Sequence, residues 1–353
     1  MPRKKSNLAA QTPLTAGTPA SLKQLAVHLG LSPATISLVI NASPVADSIP
    51  QRTKDRVLAA VEEFNYRPNF TARSLRKQRS FIIGVLVPEV SEGYAAMVMS
   101  GIEDHLLQEG YFYFVASHRH RADLIEEYPA LLLGRSVEGI IAVDTPSFPS
   151  KGIPVVAVSG HSAEDGTTNI LLDHDKAAQL ALQHLYSLGH RKIAVIKGQA
   201  FSSDTEVRWN AISRQAARLG IEIPARLVGQ LEGDSSSPEL GYAVTRRLLS
   251  RGGPFSALFA FNDISAMGAI RALREHGRVV PTDVSVVGFD DIQSAAFQNP
   301  GLTTIRQPLR KMGEIAAQIL LGRIQSPGPY SKHVTVAPEL IVRESTAAVR
   351  ADA

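Results

Sequence analysis

The chain has ten histidines and no cysteine among its 353 residues. A disulfide framework, a thiolate metal site, an iron–sulfur cluster and a cysteine nucleophile are therefore excluded. Ser159, His161 and Asp165 lie close in sequence, but their spacing alone does not place them as a triad. They read as polar loop or cleft-lining residues. His118 and His120 have the spacing of a chelating pair, yet without further ligands this reads as an exposed surface loop. The dinucleotide-binding and phosphate-loop glycine patterns, the helical zinc-protease motif and the nucleophile elbow are all missing. Neither an enzyme, a metal site nor a cofactor is expected.

The chemistry these residue types do support is recognition of a polyanion. Residues 1–80 hold twelve Lys/Arg against four Asp/Glu, a balance of +8, whereas the remainder has 25 basic and 29 acidic residues. A basic head on a mildly acidic body suggests a nucleic-acid-binding module joined to something else; the bland alternative is a solvated lysine-rich tail. Within the head, Ser32, Pro33, Ala34, Thr35, Ser37 and Asn41 form a row of small or hydrogen-bonding residues. A helix carrying them can lie close to base edges without a bulky charged obstruction.

The elements that must position this row are three short helices. Leu22, Leu25, Ala26 and Leu29 recur at helical spacing and share one face. Gly30 stops that helix, and Ser32-Pro33 restarts it as cap and first residue. Ile36, Val39 and Ile40 then point inward. Asp47 or Ser48 is expected to cap a third helix, with Val57, Leu58, Val61 and Phe64 as its apolar face. This is a helix-turn-helix pattern, although an ordinary three-helix bundle looks similar. Residues 1–20, rich in Pro, Thr, Ala and Gly, read as a disordered basic arm. The basic stretch from Phe70 to Arg79 reads as a segment that becomes helical on neutralising phosphates, with Leu75 as an apolar wedge, or as a charged linker.

From Phe81 strands and helices alternate. Expected strands are Ile82–Val87, Tyr111–Val115, Gly139–Val143, Ile153–Val158, Ile170–Leu172, Lys192–Ile196, Ala257–Ala260 and Val284–Val287. Alternation over this length predicts parallel sheets wrapped by helices, in two lobes with a ligand cleft at the strand ends. No apolar run approaches the ~18 residues of a membrane helix. The basic N-terminus is not followed by the apolar core of an export signal. A cytoplasmic location with no membrane contact is expected.

The chain resembles the lactose-repressor/galactose-repressor family of bacterial regulators from about Ser21 to Thr346. The resemblance rests on Leu22–Ala26 and Ser32–Asn41 in the head, and on Tyr66-Arg67-Pro68-Asn69 with Ala72-Arg73-Ser74-Leu75. In the body it rests on Gly189–Ala194, Asn262-Asp263, Val284–Asp291, Leu302–Ile305 and Val342–Ser345. It implies an all-α head (21–66), a hinge helix (67–80), a two-lobed body like periplasmic sugar-binding proteins (81–346) and a tail (347–353). The first lobe would take residues 81–158 and 293–324, and the second 163–290 and 325–345, with three crossovers.

The same resemblance implies a homodimer on a pseudo-palindromic operator in double-stranded DNA. Asn69, Ala72, Arg73 and Leu75 would join the head's polar row as DNA contacts. A small-molecule effector, a sugar or related polar metabolite, would contact Tyr94, His161, Arg208, Asn262 and Asp290. An arginine fork, an amide and a carboxylate suit polyol hydroxyls. The pattern departs from the family at Leu38, where many members carry arginine, at Ser91-Glu92-Gly93-Tyr94 and at Ser159-Gly160-His161. A solute-binding protein for transport is the rival reading, disfavoured by the missing export signal and the head. A sugar-processing enzyme lacks a catalytic constellation.

Overall fold

The computed structural model describes residues 20–66, 79–91, 93–150, 152–161 and 164–349. The expected arm (apart from Ala20), the expected hinge positions Asn69, Ala72, Arg73 and Leu75, Glu92 and the last four residues of the expected tail lie outside these. The chain divides into two compact units, one ending at Ser80 and the other beginning at Phe81.

The head is built from α1 (Leu22–Leu29), α2 (Pro33–Ile40) and α3 (Gln51–Glu63). Ser21 opens α1 with a capping box: its hydroxyl accepts from the Gln24 amide, and the Gln24 side chain accepts from the Ser21 amide. Gly30 closes the helix at φ +65°, a left-handed conformation that costs glycine nothing. Leu25, Leu29, Ile36, Val39, Val57 and Phe64 meet in one core. The third helix differs from expectation. Neither Asp47 nor Ser48 caps it, because both belong to a short 3-10 helix, Pro44–Ser48, and the Ser48 hydroxyl donates to the Val45 carbonyl at 2.9 Å. Helix α3 instead starts after Pro50 without a side-chain cap. Leu58 points to solvent at 51% exposure, and Ala60 fills the core beside Val57.

The body contains two six-stranded sheets. The strands of the first, in sheet order, are β11 (His333–Val336), β5 (Thr167–Leu172), β4 (Val155–Val158), β3 (Gly139–Val143), β1 (Ile82–Val87) and β2 (Phe112–Ser117), all parallel. The second runs β12 (Glu339–Ile341), β10 (Thr303–Arg306), β9 (Ser285–Asp290), β8 (Ala257–Phe259), β6 (Ile193–Lys197) and β7 (Val228–Gln230), with only β12 antiparallel. The central strands are continuous apolar runs because helices cover both faces. In the first lobe α4 (Gly93–Gln108) packs on α10 (Leu309–Gln325) so closely that a Cβ on Gly101 would collide with the Arg310 carbonyl oxygen. Helix α5 (Ala122–Gly134) covers the other face through Leu132. In the second lobe α6 (His174–Ser187) packs on α7 (Asp204–Leu219), and α8 (Pro238–Ser250) on α9 (Asp263–Glu275).

Three crossovers join the lobes, but not at the expected points. Strand β5 pairs with β4 (Val155 opposite Thr167), so the first lobe extends to Leu172. Strand β10 pairs with β9 (Thr303 opposite Val287), so the second lobe continues to Arg306. Strand β11 returns to β5 in the first lobe before β12 rejoins the second. The chain therefore passes between lobes near 173, 307–308 and 337–338. Backbone pairing decides membership here. The polar Thr167-Thr168-Asn169 segment has weak strand character in sequence, yet it extends the first sheet, where Thr168 donates to the Ser331 carbonyl.

Candidate functional site

On the head, α2 presents Ser32, Pro33 and Ala34 exposed, with Thr35 and Ser37 half-buried and Asn41 exposed just past its end. The Ser32 hydroxyl caps the helix by accepting from the Thr35 amide at 3.0 Å. Asn41 donates its amide to the Ser37 carbonyl at 2.6 Å and to the Ser37 hydroxyl at 3.2 Å. The opposite side of the helix is anchored by buried Ile36 and Val39. A rigid helix thus displays short polar side chains whose hydrogen bonds can be exchanged for those of a nucleic acid.

In the body, the carboxyl ends of β3, β4 and β9 converge on a cleft between the lobes. These ends carry strained backbone: Asp144, Ser159 and Asp290 have φ of 38°, 54° and 106°. Non-glycine residues pay a conformational cost in this region, which the surrounding structure holds in place. The cleft is lined by Tyr94, His120, Asp144, Gln199, Phe201, Ser202, Asp204, Arg208, Asp234, Ser236, Phe261, Asn262, Asp290 and Gln307, and leaves about 60 Å³ for the centres of water-sized molecules.

Asp204, at the start of α7, organises the second lobe's wall. Its carboxylate lies 2.7 Å from His161 Nε2, 3.3 Å from His174 Nε2 and 3.2 Å from an Arg208 nitrogen. Burial alone would raise its pKa, but the charge of His174, the two imidazole hydrogen bonds and Arg208 together hold it far below the usual carboxylate range. The ligand atoms of His161, His174 and Asp204 all lie within 4.8 Å of one another, a spacing that could hold a metal ion. The Arg208 guanidinium already supplies a cation to the same carboxylate.

Arg208 is buried. It also donates to the Phe261 carbonyl, and its Cζ lies 3.6 Å from the Phe289 ring centroid and 4.3 Å from that of Phe261. It forms a wall of the cavity, with its donors partly engaged by Asp204 and the Phe261 carbonyl. Asn262 is the N-cap of α9, accepting from the Ser265 amide at 2.9 Å. Asp290 accepts from Gln307 Nε2 at 2.6 Å. Burial pushes Asp290 up to about 7 against the pull of Arg208 and Gln307. Burial, then the charge of Asp204, pushes Asp144 up to about 7 as well.

Several contacts cross between the lobes. Ser203 donates to Asp144 at 3.2 Å and to the Ser159 carbonyl. The His161–Asp204 pair joins the loop after β4 to α7. The His120 ring sits 3.9 Å from the Phe201 ring, centroid to centroid. Tyr94 donates to Ser159 at 2.9 Å within the first lobe.

Comparison with known proteins bears on both units. Residues 21–69 match the model for bacterial regulatory proteins of the lacI family, and residues 182–346 match a periplasmic binding protein-like domain. The chain is 32% identical over 343 residues to the HTH-type transcriptional repressor PurR of Haemophilus influenzae, covering 94% of this chain and 99% of the relative. The chain belongs to the lacI family. It is a ligand-responsive, DNA-binding transcriptional regulator. Among solved structures, the lac repressor dimer bound to operator and the anti-inducer ONPF matches with a TM-score of 0.84 at 27% identity, over 94% of this chain and all of that one. A lacI-family regulator from Enterococcus faecium with bound ribose matches with a TM-score of 0.67 at 30% identity, over 76% of this chain and all of that one. Among the described residues no helix is long and apolar enough to cross a membrane.

Within this family frame, Tyr94, Arg208, Asn262 and Asp290 all line the cleft, and His161 stands behind it on Asp204. The expectation for His118 and His120 fails. His118 is fully buried, with Nε2 3.1 Å from the Thr145 hydroxyl, and burial, then the charge of His120, lowers it to about 4. His120 stacks on Phe201 in the cleft wall. Asp165, by contrast, is an exposed partner of Lys332. Sequence reasoning missed Asp144, Asp204, Asp234 and Gln307. Asp144 directly follows an expected strand, a position at which a polar residue faces the ligand side of such sheets. Nothing local marks Gln307.

Proposed function

We propose that this protein is an operator-binding repressor that acts as a homodimer and changes its DNA affinity when a small molecule enters the cleft between its lobes. The DNA half of this reading is supported by the row of exposed Ser32, Pro33, Ala34 and Asn41 with half-buried Thr35 and Ser37, which would meet base edges and phosphates in the major groove. Asn69, Ala72, Arg73 and Leu75 would extend the contact, with Leu75 entering the minor groove at the centre of a pseudo-palindrome. The observation that carries the effector half is the set of cross-lobe contacts in the cleft: Ser203 on Asp144 and Ser159, and His161 on Asp204. A ligand touching Tyr94, Arg208, Asn262 and Asp290 would replace or reinforce these contacts and so favour one angle between the lobes. Regulators of the same fold have been solved with cellobiose and with ribose.

The test begins with selection of bound duplexes from a random library, repeated with pooled metabolites. The expected result is a pseudo-palindromic sequence whose affinity falls steeply with salt, because a +8 head displaces counter-ions. An effector found this way should change operator affinity by about 1–3 kcal/mol, and operator should change effector affinity by the same factor. If Asp290→Asn and Arg208→Lys both respond to effector like the parent, the cleft is not the sensor. Removing residues 1–80 should abolish DNA binding; retained affinity would overturn the assignment of the head.

A further inference from the structure

Helix α2 divides its apolar residues between two faces. Ile36 and Val39 are buried in the head's core, and Ile40 packs against it. Among the described residues Ala34 and Leu38 neither join that core nor pack on it; Ala34 is exposed and Leu38 half-buried. At about 100° per residue, Ala34, Ser37, Leu38 and Asn41 fall on the side opposite the buried stripe. The Ser37 and Asn41 side chains are already bonded to each other at 3.2 Å. The centre of the outward face is therefore hydrocarbon, a methyl and an isobutyl group one helical turn apart.

Charge does not distinguish one sequence from another here. Residues 21–66 hold four basic and four acidic residues, so the +8 of residues 1–80 lies in the segments that flank the folded head. Helix α2 itself has no charged residue. The paired-donor contact with guanine, made by arginine or lysine, is thus missing from it. An apolar side chain in the major groove has one specific partner, the C5-methyl group of thymine. A guanine–cytosine pair opposite Leu38 would have its polar edge taken from water with no donor to replace it.

We infer that α2 reads each operator half-site through two thymine methyl groups, one set against Ala34 and one against Leu38, and that Leu38 is a specificity-determining residue. This rests on α2 being the reading helix of an operator-binding protein. Ala34 and Leu38 are about 6 Å apart along the helix, no more than two base-pair steps of about 3.4 Å. Both methyl groups therefore belong to one short stretch of the half-site. Covering them gains hydrophobic energy without costing the protein a packed contact, because the core already leaves these two side chains free. Asn41, at the far end of the same face, carries the amide that suits adenine once it releases Ser37.

The experiment uses the full chain and the duplex recovered by selection from a random library. Deoxyuridine replaces thymidine one position at a time, symmetrically in both half-sites. The change keeps every base pair and hydrogen-bonding group and deletes only the methyl. Two positions in each half-site are expected to lose affinity, by about fourfold per methyl and about fifteenfold for a symmetric pair. Leu38→Ala should weaken binding to the thymine duplex by a similar factor and make uracil silent at one of the two positions, while the other still responds. Leu38→Arg should move the selected base at that position from thymine to guanine. Melting of the variants, followed by circular dichroism, checks that the head stays folded, as expected for a side chain off the core. Uracil tolerated at every thymine of the half-sites overturns the inference, and so does a Leu38→Ala variant that keeps the parent's response to uracil at every position. If selection enriches no sequence at all, operator binding fails and the inference with it. An enriched half-site indifferent to its methyl groups overturns the inference alone.

Discussion

In α2 of the head, Ser32 bonds Thr35 and Asn41 bonds Ser37, partners three and four residues away on an exposed face. In the cleft, Asp204 bonds His161 and His174, partners 43 and 30 residues away, and Gln307 bonds Asp290 across 17. The chemical groups are similar, but their surroundings differ. On the helix each group keeps water as a second partner, so losing one bond costs little. In the cleft each group depends on a partner delivered by the fold, and an orphaned charge there is expensive. An exposed polar row can therefore be re-used freely by a ligand, whereas a buried one is both a recognition surface and part of the core.

The sharpest way to break this contrast is Asp204→Ala. It strands the Arg208 guanidinium, itself only 6% exposed, and should destabilise the body by about 3–5 kcal/mol in urea unfolding. A loss under ~1 kcal/mol would show that the buried network is no more demanding than the exposed row.

The next test uses pH. Asp290 has a folded pKa raised from 3.8 to about 7. Its contribution is fully present below the unfolded value and is lost as pH rises through the folded one. Stability of the ligand-free body should therefore decline between about pH 4 and pH 7, by at most ~4 kcal/mol for this group. Asp144, shifted the same way, adds to the slope. Asp204 has the opposite sign: held low, it stabilises above the ordinary carboxylate value, and that support fades in stronger acid. Thermal melting across this range should show a maximum on the acid side of neutrality. Asp290→Asn should flatten the decline, and a flat profile in the parent would remove the claim.

Smaller effects belong to the head. Thr35→Ala or Asn41→Ala should leave folding nearly untouched but, for a true base reader, relax specificity at one operator position by about 1–3 kcal/mol. Uniform weakening across all duplexes would instead mark a phosphate contact. Ser32→Ala removes the α2 cap and should cost the head about 1 kcal/mol in stability, read from its own unfolding transition.

These differences explain what could be read in advance. Capping at Ser32, the stop at Gly30 and the buried faces of α1 and α2 are local, so spacing revealed them; the capping box at Ser21 is equally local but was not read from the sequence. The third helix was less legible because the 3-10 turn at Pro44–Ser48 consumed its expected caps. The apolar strands were visible as runs, but membership in a lobe was not. Strand β5 pairs with β4 through Thr167 and Asn169, residues whose sequence signal is weak. Four of the five expected cleft residues line the cavity, and the fifth, His161, supports it from behind.

By itself, then, the amino-acid order determined the helix-turn-helix pattern, the basic head, the parallel α/β body and the family to which the chain belongs. All of these depend on residue type at short spacing, where backbone geometry translates number into position. Tertiary structure alone decided that Arg208 faces Phe289 and Asp204, that His118 is buried, and that Gln307 reaches Asp290 from a crossover. It also decided that Asp144 and Asp234 complete an acidic cavity. Each of these is a meeting of segments far apart in the chain, and burial, which sets the charge and the worth of every hydrogen bond there, exists only once those segments have packed.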